Sequence, residues 1–259
     1  PNNFACIFAA FGVFPLTLYL FARSRMLRGV ALIGFLATVY GVFLTLSRGG
    51  FLTLLFMFIV FLFVHYKHAK KRLRPFLFMV SALMIGLYAS GLLDLRPLYE
   101  RFFGVHVGDL SSLTAGRTDF LRAGLNAALE RPVFGYGGTP FASLWINYQA
   151  YGKLAVMHNL YMEILVQYGI VGILAFVTIV FVSIRGFFVL RRRDFVNRES
   201  LLLYIPFISL AALLFSALAL SWQWREIVWY FIGLSLVTSA LVLKTSERDE
   251  VAKATGQHV

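Results

Sequence analysis

Apolar residues in this chain gather into long unbroken runs separated by short charged stretches, instead of recurring at the spacing of a half-buried strand or a surface helix. Such runs occur at Phe4 to Leu20, Gly29 to Val64, Pro75 to Leu93, Leu160 to Ile184, Leu201 to Leu220 and Ile227 to Leu243. Five have the length of one membrane crossing. Gly29 to Val64 does not: as a single helix rising about 1.5 Å per residue it would measure about 54 Å, against a hydrocarbon core of about 30 Å. The run breaks most economically at Ser47-Arg48-Gly49-Gly50, where one helix ends and the next returns. The pattern therefore predicts an all-α polytopic membrane protein of about seven transmembrane helices. Four lie in residues 1–93 and three in 158–245, around one long outward-facing loop at 94–157 and ahead of a cytoplasmic tail at 246–259, all forming one membrane domain.

Composition agrees with the pattern. Hydrophobic residues make up 59% of the chain and charged residues 14%, and the mean hydropathy of +0.77 excludes an ordinary soluble domain. No amino-terminal signal peptide is visible, and the start at Pro1-Asn2-Asn3 without an initiator methionine suggests a fragment lacking earlier helices. The single cysteine, Cys6, lies in an apolar run, so neither a disulfide framework nor a cysteine metal site is expected.

The net charge of +12 would suit nucleic acid, but its distribution points to membrane topology. Arg23, Arg25 and Arg28 follow the first span, Lys67, Lys70, Lys71, Arg72 and Arg74 the third, and Arg185, Arg191, Arg192, Arg193 and Arg198 the fifth. These stretches, with the tail after Lys244, are expected on the cytoplasmic side. The 94–157 segment carries six basic residues against five acidic ones, close to balance, and is expected outside. The break at Ser47 to Gly50 and the link at Ser221 to Glu226 should face outward with it.

That map puts Arg48 on the outer face. It either snorkels to the headgroups from a helix end or turns its guanidinium toward an anionic ligand. In the long loop, Gly116 to Glu130 has helical periodicity, with Phe120, Leu121, Gly124, Leu125 and Ala128 on one face, Asp119, Arg122, Asn126 and Glu130 on the other, and Pro132 as the stop. Arg117 falls in the first turn of this amphipathic helix, where a cation is disfavoured unless an anion is bound nearby; the alternative is pairing with Asp119 or another loop carboxylate.

Beyond Pro132, Gly135, Gly137 and Gly138 permit tight turns or exposed amides, without the spacing of a phosphate loop. Trp145, Tyr148 and Tyr151 read as an interfacial belt, with stacking on sugars as the alternative. His158 and Asn159 then open the fifth span. A histidine at an interface is often merely solvated, but an imidazole's ordinary pKa near 6.5 makes it a natural general base. Glu163 and Gln167 share a face different from that of His158, and either pack as polar groups inside the bundle or help to line a site. Gly169 and Gly172 are expected to allow close helix packing.

Together, "LTLSRGG", "AGRTDFLRAGLNAALERPVFGYGGTPF" and "HNLYMEILVQYGIVG", in this order and flanked by these spans, resemble the O-antigen ligase and O-antigen polymerase superfamily of bacterial envelope enzymes. The resemblance covers Gly29 to Ile184, and "PNNFA" resembles the opening of a more amino-terminal helix of that family. It implies transfer of a glycan from an undecaprenyl diphosphate carrier to an acceptor hydroxyl on the outer side of the bacterial cytoplasmic membrane, with the active site facing the periplasm. The acceptor is lipid A-core in ligases and another carrier-linked repeat in polymerases. The family arginines that hold the diphosphate match Arg48 and Arg117, and the histidine acting as base matches His158, with Asn159 and Glu163 as supporting candidates. Gln167 departs from the family, many members of which carry glutamate there; Glu163 is the candidate to replace it.

The chemistry of the residues fits. Breaking the anomeric C–O bond develops charge on the diphosphate, which planar guanidinium groups meet bidentately. The outer segments contain no Asp-x-Asp pair, and His106 stands about fifty residues before His158, so the sequence suggests an inverting glycosyltransferase needing neither metal nor cofactor. Its partners would be the carrier-linked donor, the acceptor and membrane lipids. A transporter of an anionic lipid-linked glycan is the alternative of another class, weakened by the lack of an internal repeat.

Overall fold

The computed structural model describes residues 2–90, 117–137, 158–192, 200–220 and 225–255, with isolated positions 96, 99, 145, 146 and 149; at 67–69, 72, 79, 83, 84, 87, 117, 118, 200, 225 and 248–255 this extends to the backbone alone. The regular elements among these residues are helical: α1 (Asn2–Phe11), α2 (Val13–Phe21), α3 (Arg25–Leu44), α4 (Arg48–Ala89), α5 (Arg117–Glu130), α6 (Leu160–Arg192), a 3-10 turn (Ser200–Tyr204), α7 (Ile205–Ser216) and α8 (Arg225–Thr255). They fall into two compact units, Pro1–Phe120 and Leu121–Val259.

Within the first unit, α1 and α2 are separated at Gly12 and together make one apolar span, Asn2–Phe21. One face of α1 is built of small residues, and Ala5, Cys6, Ala9 and Ala10 are buried there. Small side chains let helix axes approach closely where lipid supplies no hydrophobic drive between them. The approach is closest at Gly50 of α4, where a Cβ would collide with that of Ala5. Cys6 Sγ lies 3.5 Å from Thr53 Oγ1 in the same crossing, a polar contact inside the apolar layer. The opposite face of the span exposes Phe4, Phe8, Phe11 and Phe14, as a lipid-facing surface requires.

Five helical segments among the described residues are long and apolar enough to cross a membrane: Asn2–Phe21, Arg25–Leu44, Arg48–Tyr66, Leu160–Arg192 and Glu226–Glu247. Of the seven expected crossings, five are thus present among the described residues; the two expected at Pro75 to Leu93 and Leu201 to Leu220 do not stand there as separate helices of full length, for two local reasons. The basic stretch from Lys67 to Arg74 forms no turn: α4 continues through it for 42 residues, about 63 Å, and Pro75 lies inside the helix. Lysine, arginine and alanine are good helix formers, and the proline removes one amide from the ladder without ending it here. The run from Leu201 to Leu220 resolves into a 3-10 turn and the 12-residue α7, shorter than a crossing.

In the second unit α6 packs against α8 and α8 against α7. Ser239 of α8 fastens the first pair: its hydroxyl donates to the carbonyl of Ser183 at 2.6 Å and accepts from the amide of Gly186 at 2.9 Å. Gly186 leaves no room for a side chain against Ser239. Near its start α6 is broken. Gly169 has φ +64° and ψ −160°, a region open to glycine alone, so residues 160–168 and 170–192 are two helical segments meeting at an elbow.

Candidate functional site

Arg48 owes its position to a tight turn. The Thr45 hydroxyl donates to the Val42 carbonyl at 2.7 Å and accepts from the Ser47 amide at 3.2 Å, closing the end of α3. Leu46 follows in the left-handed region at φ +48°, costly for a bulky side chain. Ser47, 2% exposed, then caps α4 by accepting from the Gly50 amide at 3.1 Å. Arg48 is thereby the first residue of α4, half-buried and at the positive end of the helix dipole. The break expected at Ser47 to Gly50 is present, with residues 45–47 as the turn and both glycines already helical.

Arg117 is the first residue of α5, as the pattern predicted, while its side chain lies outside the described residues. The helix ends at Glu130, ahead of Pro132. Its buried face is Gly124, Ala127 and Ala128, with the two alanines packed on Val166 of α6; Leu125, expected on that face, is exposed.

The segment after α5 enters the elbow of α6. In a continuous helix the amides of Ile170 and Val171 would reach the carbonyls of Val166 and Gln167. Here they donate instead to Pro132 at 2.8 Å and Val133 at 3.3 Å, while the freed carbonyls accept from Tyr136 at 2.9 Å and Gly137 at 2.9 Å. Four backbone bonds thus replace the two that the break removes. The approach is main chain to main chain: a Cβ on Gly169 would strike the Val133 carbonyl, and one on Gly135, at φ +69°, would strike the backbone of Gln167. One expectation is corrected: Gly169 breaks the helix instead of packing it. Gly135 and Gly137 take the turn geometry expected of them, with positive φ, while their amides are spent within the protein, on Arg131 and Gln167. On the open side of this latch the Tyr136 hydroxyl donates to Glu130, and the Arg131 guanidinium lies 4.7 Å from the Tyr136 ring centre. The bond to Glu130, then desolvation and the glutamate's charge, hold the Tyr136 phenol above its ordinary pKa, against the opposing pull of Arg131.

His158 stands just before α6 with φ +51°, the second left-handed residue other than glycine among those described. Asn159 caps the helix through Oδ1, which accepts from the Met162 amide at 3.0 Å, and its Nδ2 donates to the Leu218 carbonyl at 3.0 Å. The Leu160 amide donates to Ala217 at 3.0 Å and the Tyr161 hydroxyl to Leu214 at 2.7 Å. The end of α7 has carbonyls without helical partners and the start of α6 has amides in the same condition, so each end supplies the other. This clamp holds the His158–Asn159 pair in place.

One turn into α6, Gln167 Nε2 donates to Glu163 Oε1 at 3.3 Å; these side chains are 2% and 6% exposed. They line a cavity of about 130 Å³ in the elbow, between α6 and the first turn of α8. Of the two sequence readings, packing inside the bundle is what these contacts show, and the pair also borders the cavity.

The structure thus gathers His158 and Asn159 at the entry of one short helical segment, and Glu163 and Gln167 on it, in the second unit, while Arg48 and the first residue of α5 belong to the first. Gly138, Tyr148, Tyr151 and His106 lie outside the described residues. Among the described residues no three of histidine, cysteine, aspartate and glutamate come together as a metal site. The sequence reading missed the latch and the capping role of Asn159; "ERPVFGYG" beside "QYG" was the signal for the former and Asn159 ahead of an apolar helix for the latter.

A family model described as O-antigen ligase matches residues 33–177, more than half of the chain. No curated protein and no solved structure matches it.

Proposed function

Since the chain belongs to the O-antigen ligase family of bacterial membrane proteins, glycosyltransferase-like enzymes acting on lipid-linked glycans and their acceptors, we propose that it moves a glycan from undecaprenyl diphosphate to the hydroxyl of a lipid A-core acceptor on the periplasmic side of the cytoplasmic membrane. The observation that supports this reading is common to the three candidate residues. Arg48 and Arg117 each open a helix, and His158 directly precedes the cap of another. Helix amino termini carry partial positive charge and suit an anionic group such as a diphosphate.

In this reading Arg48 and Arg117 hold the diphosphate, and His158 takes the proton of the acceptor hydroxyl as its oxygen attacks the anomeric carbon. The new C–O bond forms as the bond to the diphosphate breaks, and the electron pair leaves with the carrier. Direct displacement inverts the anomeric centre. The guanidinium groups stabilise the charge on the leaving group without exchanging protons, so the step is proposed to need no metal. The left-handed backbone at Leu46 and His158 is the kind of strain that functional sites retain.

The test is product analysis with the full-length protein in a bilayer, given carrier-linked glycan alone, lipid A-core alone, and both. A glycan joined to lipid A-core, only when both are present, supports the ligase. Chain extension on the carrier alone makes it a polymerase, and movement of the donor across the bilayer without a new bond makes it a transporter.

A further inference from the structure

The elbow of α6 holds a feature that the transfer chemistry does not use. The cavity there has Glu163 and Gln167 at its floor and Tyr168, Phe176 and Trp229 around it. Tyr168 and Trp229 are exposed at 42% and 47%, so both rings stand at the mouth, and Phe176 braces the Trp229 ring edge to face with centroids 6.2 Å apart. A broken helix inside a membrane is tolerated where it is buried in protein or lines a cavity; Gly169 is buried against the Val133 carbonyl, and Tyr168 beside it lines the cavity.

We propose that this cavity is a binding subsite for a single sugar ring. Four properties lead there. The first is size: an engineered apolar cavity of about 150 Å³ holds one benzene ring, so about 130 Å³ with an open mouth suits one six-membered ring and not a chain of them. The second is the polar floor. A carboxylate joined to a carboxamide presents acceptors and an N–H group side by side, and vicinal hydroxyls of a sugar both donate and accept. The third is the aromatic rim, whose flat faces match the apolar face of a pyranose while the polar edge of the ring turns inward. The fourth is what the lining lacks: among the described residues around the cavity there is no arginine, lysine or histidine to hold a phosphate, and a hydrocarbon chain would cover the pair without offering it a hydrogen bond.

An alkylammonium group is the nearest competitor, because a carboxylate among aromatic rings also suits a cation. An ammonium only donates, however, and leaves the donor half of the Glu163–Gln167 pair unused.

The inference rests on the glycan-transfer reading for its choice of ligand, but binding requires no turnover. Full-length protein in nanodiscs is titrated with glucose, galactose, N-acetylglucosamine and ethanolamine, and binding is followed by saturation-transfer NMR. At least one monosaccharide should bind saturably and not be displaced by ethanolamine. Trp229→Leu should weaken it about two- to tenfold, the value of one aromatic contact, with Trp229→Phe recovering most of the loss. Gln167→Leu should weaken it further; if that variant does not fold, the half-exposed Trp229 pair decides. Equal affinity in wild type and Trp229→Leu, displacement by ethanolamine, or no saturable sugar binding would overturn the subsite. Saturable, Trp229-dependent binding in a protein that forms no transfer product would keep the subsite and remove the transfer reading. Transfer by a protein whose sugar binding ignores Trp229 would do the opposite.

Discussion

The carbonyl of Val166 accepts from the amide of Tyr136 at 2.9 Å, where an unbroken helix would have offered it to Ile170. A segment from the loop after α5 has replaced the helix as hydrogen-bonding partner, and Gly169 supplies the backbone angle that makes room for it. The short segment bearing His158, Glu163 and Gln167 is in this way set apart from the membrane-spanning remainder of α6. It is held at one end by the carbonyls after α7 and at the other by the latch.

Gly169→Ala should destabilise the protein by on the order of 1 to 3 kcal/mol from backbone strain alone, with the collision against Val133 adding to it. Gly135→Ala should act in the same way. Because both variants open one latch, their double combination should lose less than the sum of the two. Thermal unfolding of the detergent-solubilised protein checks this, and an unchanged midpoint in Gly169→Ala would mean that the latch is not formed.

The apolar runs announced the helices, and "SRGG" announced the break before α4, because hydrophobic length and turn chemistry are local properties. The start of α5 and its end before Pro132 were legible for the same reason. Two elements were not. Lys67 to Arg74 reads as a loop by charge, yet its helix propensity carries α4 through it. Gly169 reads as a packing glycine in a uniform apolar run, and only Val133, 36 positions earlier in the chain, reveals it as a break. The candidate residues were legible one by one; the clamp that fixes His158 depends on carbonyls near Leu218, which no pattern around His158 foretells.

His158→Asn is a cleaner test of the base than His158→Ala, since asparagine tolerates the left-handed backbone found at φ +51°. Folding should be preserved in the asparagine variant while transfer falls about 10²- to 10⁴-fold, the usual value of general-base catalysis. Initial rates and unfolding midpoints measured on the same preparation separate the two effects. Near-normal turnover in His158→Asn would reduce the histidine to a residue of the interface.

Topology can be read with single cysteines, since the native Cys6 is buried and can be replaced by alanine. Gly49→Cys has open space at its Cβ, with Ser47 Oγ nearest at 3.9 Å. That cysteine and Gln149→Cys should react with an impermeant thiol reagent applied from the periplasmic side, while Lys70→Cys should react only after the membrane is opened. The inverse pattern would place Arg48 on the cytoplasmic side and remove it from the proposed site.

The measurement that bears most directly on the diphosphate clamp is the initial rate of covalent glycan transfer by Arg48→Lys, Arg117→Lys and the double variant, at saturating carrier-linked donor and with folded protein quantified in parallel. Lysine keeps the charge and the flexible stem but lacks the planar fork. Each single variant is expected to lose about 1 to 3 kcal/mol of transition-state stabilisation, roughly 5- to 150-fold in rate. Because both arginines act on one leaving group, the double variant should lose less than the two single losses combined. Full activity in both lysine variants would contradict the clamp and leave Arg48 as an anchor at the membrane surface.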